Sequence, residues 1–393
     1  MYKRKLVSQL IQRMNEDRHF MQIVVGPRQT GKTTATTQAL DELQQGSYYT
    51  SADDPALVSM EWLSNEWEHA RILQAQSRAP VVLVIDEIQK VPEWSSVVKM
   101  LWDEDTRKKI PLKVILTGSS SLLINKGMSE SLMGRFEVLY CPHWNFTECR
   151  EAFGYSLDDF LFFGGYPGAA ALKEDESRWA RYMGTSIVEP TISQDVMLME
   201  NVRKPALLRS LFTIGAGYSA QEVSYTKILG QLQDAGNTVT VAHYLELLEK
   251  AGILCGLNKF SLNKLAIRKS SPRLMVFDTS LMTYADGATR RRFSGNPEDK
   301  GHLVESAVGA YLLARGQEEG FDVFWWREKE KEVDFVLQKG SRITAIEVKS
   351  GRVKRTGGSV EFQKQYPQAL SYIVGSANHR LEDFLSGEFN LFK

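Results

Sequence analysis

Two groups of residues in this sequence have the types and spacing to handle phosphates. The first is the run Gly26, Pro27, Arg28, Gln29, Thr30, Gly31, Lys32, Thr33 and Thr34. It follows the apolar stretch Phe20 to Val25 and opens a breaker-poor helical stretch, Lys32 to Leu43. A strand, the pattern G-x-x-x-x-G-K-T and a helix are the context in which a chain wraps a phosphate group. Gly26 and Gly31 let successive N–H groups point at the phosphates, and the start of the helix adds its dipole. Lys32 brings a point charge to the β- and γ-phosphates, and the Thr33 hydroxyl can ligate Mg2+. ATP and Mg2+ are the expected cofactors.

Strand ends further along complete this group. Val81 to Ile85 is an unbroken run that reads as a central parallel strand ending in Asp86-Glu87. An acid at the carboxyl end of such a strand is placed to hold Mg2+, so Asp86 takes that role. Glu87 beside it can orient the water that attacks the γ-phosphate. Lys113 to Thr117 reads as another buried strand, and the Thr117 hydroxyl can touch the γ-phosphate or its water, with Ser119 as the substitute; an ordinary strand-end turn is the other reading. Arg135 is a candidate for stabilising transition-state charge, from its own chain or a neighbouring subunit, and otherwise a surface arginine.

The second group lies near the end of the chain. Leu303 to Arg315 reads as an amphipathic helix with Glu305 beside its apolar stripe. Alternation in Val333 to Leu337 puts Asp334 opposite the apolar face, and the same period puts Glu347 and Lys349 on one face of the next strand. If Leu337 pairs with Arg342, Asp334 lies opposite Ala345 and one diagonal step, about 7–8 Å, from Glu347. A divalent ion could bridge that span and activate water, with Lys349 orienting it or neutralising a leaving phosphate. Arg352, Lys354 and Arg355 add basic charge nearby.

Both groups sit in longer resemblances. GPRQTGKT, VLVIDEIQ, KVILTGSSS, SLMGR and FFGGYP are similar to the corresponding runs of predicted AAA+-class ATPases widespread in bacteria and archaea. That resemblance implies an AAA+ core, a winged-helix segment and a restriction-endonuclease-like C-terminal domain. Glu305, Asp334 and Glu347-Val348-Lys349 also resemble the PD-(D/E)XK nuclease signature, which implies metal ligation by Glu305, Asp334 and Glu347 and a catalytic role for Lys349.

The elements that must position these residues follow. The expected fold is α/β: a P-loop NTPase (AAA+/ASCE) parallel sheet over 1–140, a helical lid over 141–200, a winged-helix-like domain over 201–285 and an α/β nuclease-like domain over 286–393. Val241, Tyr244, Leu245 and Leu248 recur at helical spacing before Gly252, and Ile253 to Phe260 reads as a strand, which gives the winged-helix order. Glu246 and Glu249 on the outward face of that helix would repel phosphates. Lys259, Lys264, Arg268, Lys269 and Arg273, with no acid between Ala251 and Phe277, suit a non-specific backbone contact through the wing. Asp286 to Gly301 reads as a linker.

Composition narrows the classes. Hydrophobic content of 43% and charged content of 24% are globular values. Forty-eight basic residues balance 48 acidic ones, so nucleic-acid contact must come from local patches. Cys141, Cys149 and Cys255 lack metal-ligand spacing and suit a reducing cytosol. No apolar run has the length of a membrane span and the N-terminus carries no leader pattern, so a cytoplasmic location without membrane contact is expected. The leading expectation is an ATP-hydrolysing enzyme coupled to a Mg2+-dependent nuclease-like domain, with DNA more than RNA as partner and a homo-oligomer as the frame for Arg135. The alternatives are an ATP-gated nucleic-acid-binding or regulatory switch with a catalytically silent nuclease fold, and a protein-remodelling or scaffold ATPase.

Overall fold

The computed structural model describes residues 1–53, 59–118, 132–197, 202–232, 237–262, 271–287, 289–350, 357–387 and 389–393. Ser119 lies outside them, as do Lys264, Arg268 and Lys269 of the expected wing and Arg352, Lys354 and Arg355 beside the second group. The chain divides into two compact units, Met1–Pro142 and His143–Lys393.

The first unit is built on five parallel strands: β1 (Met21–Val25), β2 (Ser47–Ser51), β3 (Val82–Asp86), β4 (Lys113–Gly118) and β5 (Phe136–Tyr140), in the order β2-β3-β4-β1-β5. Strands β1, β3 and β4 are buried throughout, which is why they read as unbroken apolar runs rather than alternating ones. Their side chains still divide between two cores. Ile23, Leu83, Ile85 and Leu116 pack with Leu63 and Trp67 of α3 (Met60–Gln76) and with Trp94 and Val98 of α4 (Trp94–Lys108). Val24, Val84 and Ile115 face α1 (Lys5–Asn15) and α2 (Lys32–Glu42) through Leu6, Leu10, Ala35 and Ala39. The strand order sets the chemistry: β4 lies between β1 and β3, so its carboxyl end separates the two functional loops.

The second unit opens on α5 (Phe146–Phe153), α6 (Leu157–Phe163) and α7 (Glu176–Tyr182), followed by π-helical turns Met183–Val188 and Thr191–Val196. The Gly164-Gly165-Tyr166-Pro167 turn is tied down by Gly165 N–H, which donates to buried Asp278 at 2.7 Å. Helices α8 (Pro205–Gly217), α9 (Tyr225–Gln231) and α10 (Thr238–Lys250) then precede an antiparallel pair, β6 (Leu254–Leu257) with β7 (Arg273–Val276). Asn237 caps α10 by accepting from Thr240 N–H, and Val241, Tyr244, Leu245 and Leu248 are its buried face.

Residues 286–301 are not a linker. After α11 (Thr279–Asp286), α12 (Arg290–Gly295) and the start of α13 (Pro297–Glu319) cover most of the stretch. Asn296 caps α13 by accepting from Glu298 N–H, Pro297 occupies its first turn, and Glu298 and Asp299 face its dipole. A four-stranded sheet follows, β8 (Asp322–Glu328), β9 (Lys331–Lys339), β10 (Arg342–Val348) and β11 (Leu370–Val374), in the order β11-β10-β9-β8. Its hairpin register differs from the expected one. Lys339 pairs with Arg342 and Leu337 with Thr344, not Arg342, because Gly340-Ser341 makes a two-residue turn with Gly340 left-handed. The pairing runs as far as Ile346 with Phe335, and just beyond it Asp334 Oδ2 accepts from Val348 N–H.

Candidate nucleotide site and the C-terminal carboxylate cluster

The loop from Gly26 to Gly31 joins β1 to α2, and Lys32, Thr33 and Thr34 form the first turn of that helix. Gln29 and Gly31 both have positive φ, 60° and 94°, the left-handed geometry that turns backbone N–H groups to one side of a loop. At φ 94° Gly31 is in a conformation other residues avoid. Gly26 is needed for a different reason, since a Cβ there would fall 2.1 Å from the Cys141 carbonyl oxygen. The underside of the loop is fastened by Arg4, whose guanidinium donates to Thr30 O at 3.0 Å, Pro142 O at 3.0 Å and Cys141 Sγ at 3.1 Å. The Thr30 hydroxyl adds bonds to Pro27 O at 3.0 Å and Cys141 O at 3.1 Å.

Lys32 Nζ donates back into the loop, to Pro27 O at 2.6 Å and Gly26 O at 3.0 Å, and the residue is buried. Its ammonium therefore lies where the loop encloses it. Asp86, 3% exposed at the end of β3, gathers three hydroxyls. Thr33 Oγ1 and Tyr49 OH each donate to Oδ2 at 2.8 Å, and Thr117 Oγ1 donates to Oδ1. The register explains the meeting: Thr117 pairs with Val24 on β1, and the neighbouring Leu116 pairs with Ile85 on β3. Hydroxyls and a carboxylate at the foot of a phosphate loop are the oxygen donors that fit Mg2+. Glu87 follows with φ 55°, and Gln89 Nε2 donates to its carboxylate at 2.7 Å.

Sequence reading brought Thr33, Asp86, Glu87 and Thr117 to this place and missed three supporting residues. Tyr49 sits on β2, whose partner is known only once strands are paired. Burial and the Asp86 contact push its phenol well above the usual range, so it stays a donor. Arg4 lies before the first strand, and Gln89 in a turn, with no pattern to mark either. Arg135 is not at this site within one chain. It precedes β5 at the amino end of the sheet, where its carbonyl accepts from Met21 N–H at 2.9 Å. Its guanidinium forms a paired contact with Asp103, at 2.7 and 3.0 Å.

The second group is brought together in part. Glu305 on α13 and Asp334 on β9 share one cation, and it is a side chain. Arg273 at the start of β7 is 3% exposed and donates to Glu305 Oε2 at 2.9 Å and Glu332 Oε1 at 2.6 Å, with Asp334 Oδ1 at 3.6 Å. Asp334 Oδ2 accepts from Val348 N–H at 2.8 Å. Glu347 Oε1 accepts from Ser359 N–H at 2.7 Å and Ser359 Oγ at 2.6 Å, and its other oxygen faces Lys349 at 3.5 Å. Burial raises the Glu305 carboxyl to about 7, with the Asp334 charge adding to the rise and Arg273 opposing it. Asp334 is also raised, by burial first. Among the described residues, no three His, Cys, Asp or Glu are grouped to hold a metal ion. The donor set expected for a second Mg2+ does not fit one here, because Arg273, Ser359 and Val348 already engage it. Arg273 is also withdrawn from the exposed basic wing to which its sequence neighbours assigned it.

A five-stranded parallel sheet, a phosphate loop between β1 and α2, and an acid at the end of β3 define a P-loop ATPase domain of the AAA type. Residues 18–150 match the family described as "AAA domain", and residues 154–292 and 300–385 match two families described as domains of unknown function, DUF8612 and DUF4143. The chain is 23% identical over 362 residues to an uncharacterized protein of Haemophilus influenzae, covering 87% of this chain and 85% of that one. It is 25% identical over 338 residues to the uncharacterized protein MJ1544 of Methanocaldococcus jannaschii, covering 81% and 72%. Among solved structures, the Thermotoga maritima RuvB Holliday junction branch migration motor is similar at 19% identity and a TM-score of 0.33, over 67% of this chain and 92% of that chain. No helix among the described residues is long and apolar enough to cross a membrane.

Proposed function

We propose that this chain binds and hydrolyses ATP and uses the nucleotide state to govern nucleic-acid binding by its second unit, DNA more than RNA. The observation that carries the reading is the meeting of the Thr33 and Thr117 hydroxyls on Asp86 at the mouth of the phosphate loop. In this reading the loop amides and Lys32 hold the β- and γ-phosphates, the Lys32 ammonium exchanging the Gly26 and Pro27 carbonyls for phosphate oxygens. Thr33 and Asp86 hold Mg2+, which when bound neutralises charge on the phosphates. Glu87 orients the attacking water, and Thr117 is in reach of the same space. Arg135 has a part only if a second copy supplies it, since in its own chain it is engaged with Asp103.

The second unit binds rather than cuts in this proposal. Support for binding is the density of lysine and arginine between Lys259 and Arg268, against a chain whose charges cancel overall. A Mg2+-dependent nuclease is disfavoured by the guanidinium lodged among its expected ligands.

Two measurements test the pair of claims. Lys32→Ala should lose at least about tenfold in affinity for a fluorescent ATP analogue, a change of ~1.4 kcal/mol; unchanged affinity would remove the loop from the mechanism. Duplex DNA affinity should fall steeply with added salt, by about 0.9 log units per log unit of salt for each phosphate engaged. A flat response would sink the nucleic-acid half and leave the protein-remodelling reading in its place.

A further inference from the structure

Where the resemblance to nucleases implies a metal, the C-terminal cleft contains an arginine. We propose that Arg273 is the resident counter-ion of this cleft, and that Glu305, Asp334 and Glu347 bind no divalent ion while it is in place. The inference deepens the reading of the second unit as one that binds without cutting, and it is independent of what the phosphate loop does.

Three observations carry it. First, Arg273 is fixed, not passing. Its Nε donates to Ala220 O at 3.0 Å while the two terminal nitrogens reach Glu332 and Glu305, so each of the three guanidinium nitrogens has an acceptor. Second, each acid is already engaged on both sides. Asp334 Oδ2 accepts from the Val348 amide and Glu347 Oε1 accepts twice from Ser359, while Asp334 Oδ1 faces Arg273 at 3.6 Å and Glu347 Oε2 faces Lys349 at 3.5 Å. Third, the cleft is close to neutral. A space of about 470 Å³ is lined by the carboxylates Glu222, Glu305, Glu332 and Asp334 and by the cations Arg273, Arg327 and Lys349. Little field remains to draw a doubly charged ion from water, and one placed between Glu305 and Asp334 would meet the guanidinium at contact distance.

The arrangement has a structural consequence as well. Arg273 belongs to β7, whereas Glu305 lies on α13 and Glu332 and Asp334 on β9. The arginine thus ties the hairpin segment to the C-terminal sheet, a task a metal bound by α13 and the strands alone would not perform. Glu222 reinforces the tie through a backbone bridge to Arg273 and a side-chain bond to Arg327, which also holds Glu332.

The experiment is a Mn2+ titration of the full-length chain, read by electron paramagnetic resonance, with a non-hydrolysable ATP analogue present. The expected result is one ion per chain that Asp86→Asn removes and that Glu305→Gln with Asp334→Asn leaves in place. A further ion per chain that disappears in Asp334→Asn would overturn the proposal. No nucleotide-dependent ion at all would strike the phosphate-loop reading and leave this inference standing. Thermal unfolding supplies the second arm. Arg273→Met should lower Tm by roughly 5–10 °C, because Glu305 and Asp334 lose the guanidinium they face and Glu332 loses one of its two arginines. Adding Glu305→Gln and Asp334→Asn should restore at least half of that loss. If Arg273→Met cannot be purified, the triple variant is measured alone, and its failure to fold counts against the counter-ion role, as does an unshifted Tm in the single variant.

Discussion

Asp86 and Asp334 are both strand carboxylates, the first buried and the second half-buried, yet they are held in opposite ways. Asp86 is held by three neutral hydroxyls, from Thr33, Tyr49 and Thr117, and by the Glu87 N–H at 3.0 Å, with no cation among these partners. Asp334 is held by a backbone amide and faces a buried guanidinium shared with Glu305 and Glu332. A hydroxyl can rotate and offer its lone pairs to an incoming cation at small cost. A buried arginine cannot withdraw without leaving both itself and its partners unpaired, which costs several kcal/mol. The first carboxylate is therefore exchangeable and the second is spoken for. Acidic residues with the right spacing thus predict a metal only when their partners are known.

The contrast can be broken most directly at Asp86. Asp86→Asn should cut ATP turnover by about 10²–10³-fold, measured as phosphate release, while Tm stays within about 1 °C of the parent. A collapse in Tm would mean that Asp86 is as structural as Asp334. A smaller effect is expected from Glu332→Gln. Its two arginine partners are charged but the residue is partly exposed, so about 1 kcal/mol of stability should be lost in a urea melt. ATP turnover should be unchanged; a fall would show that the two regions are coupled through this contact. The smallest change sharpens the first region. Tyr49→Phe removes one of three donors and should shift the Mg2+ concentration for half-maximal turnover by a few-fold at most, under about 1 kcal/mol. A loss as large as that of Asp86→Asn would make Tyr49 a principal member of the site.

Legibility in the sequence followed how local each device is. The phosphate loop, the acid ending β3 and Thr117 ending β4 are contiguous motifs, and their strand-loop-helix context is contained in about a dozen residues each. Their meeting depends only on the order of parallel strands. Tyr49 was illegible because an exposed tyrosine on β2 gains its role from a strand paired with it only in the folded sheet. The role of Arg273 is hidden for the same reason. Beside Lys259, Lys264, Arg268 and Lys269 it looked like one more surface cation, while its acids come from residues 305, 332 and 334. Two other differences between expectation and structure carry local signals in the sequence. Asn296-Pro297-Glu298-Asp299 is a helix start, hidden by the glycine and arginine content around it. Gly340-Ser341 is a two-residue turn, and a four-residue turn there slides the pairing of β9 against β10, setting Leu337 beside Arg342 instead of Thr344.

The floor of the phosphate loop contains a thiol. Cys141 is fully buried, with Arg4 Nη1 at 3.1 Å from its sulfur and Thr30 lying over its carbonyl. Any maleimide dye or spin label attached there would have to displace the clasp that shapes residues 26–31. Spectroscopic work on this chain should replace Cys141 with a residue of similar bulk, such as serine, before probes are introduced elsewhere.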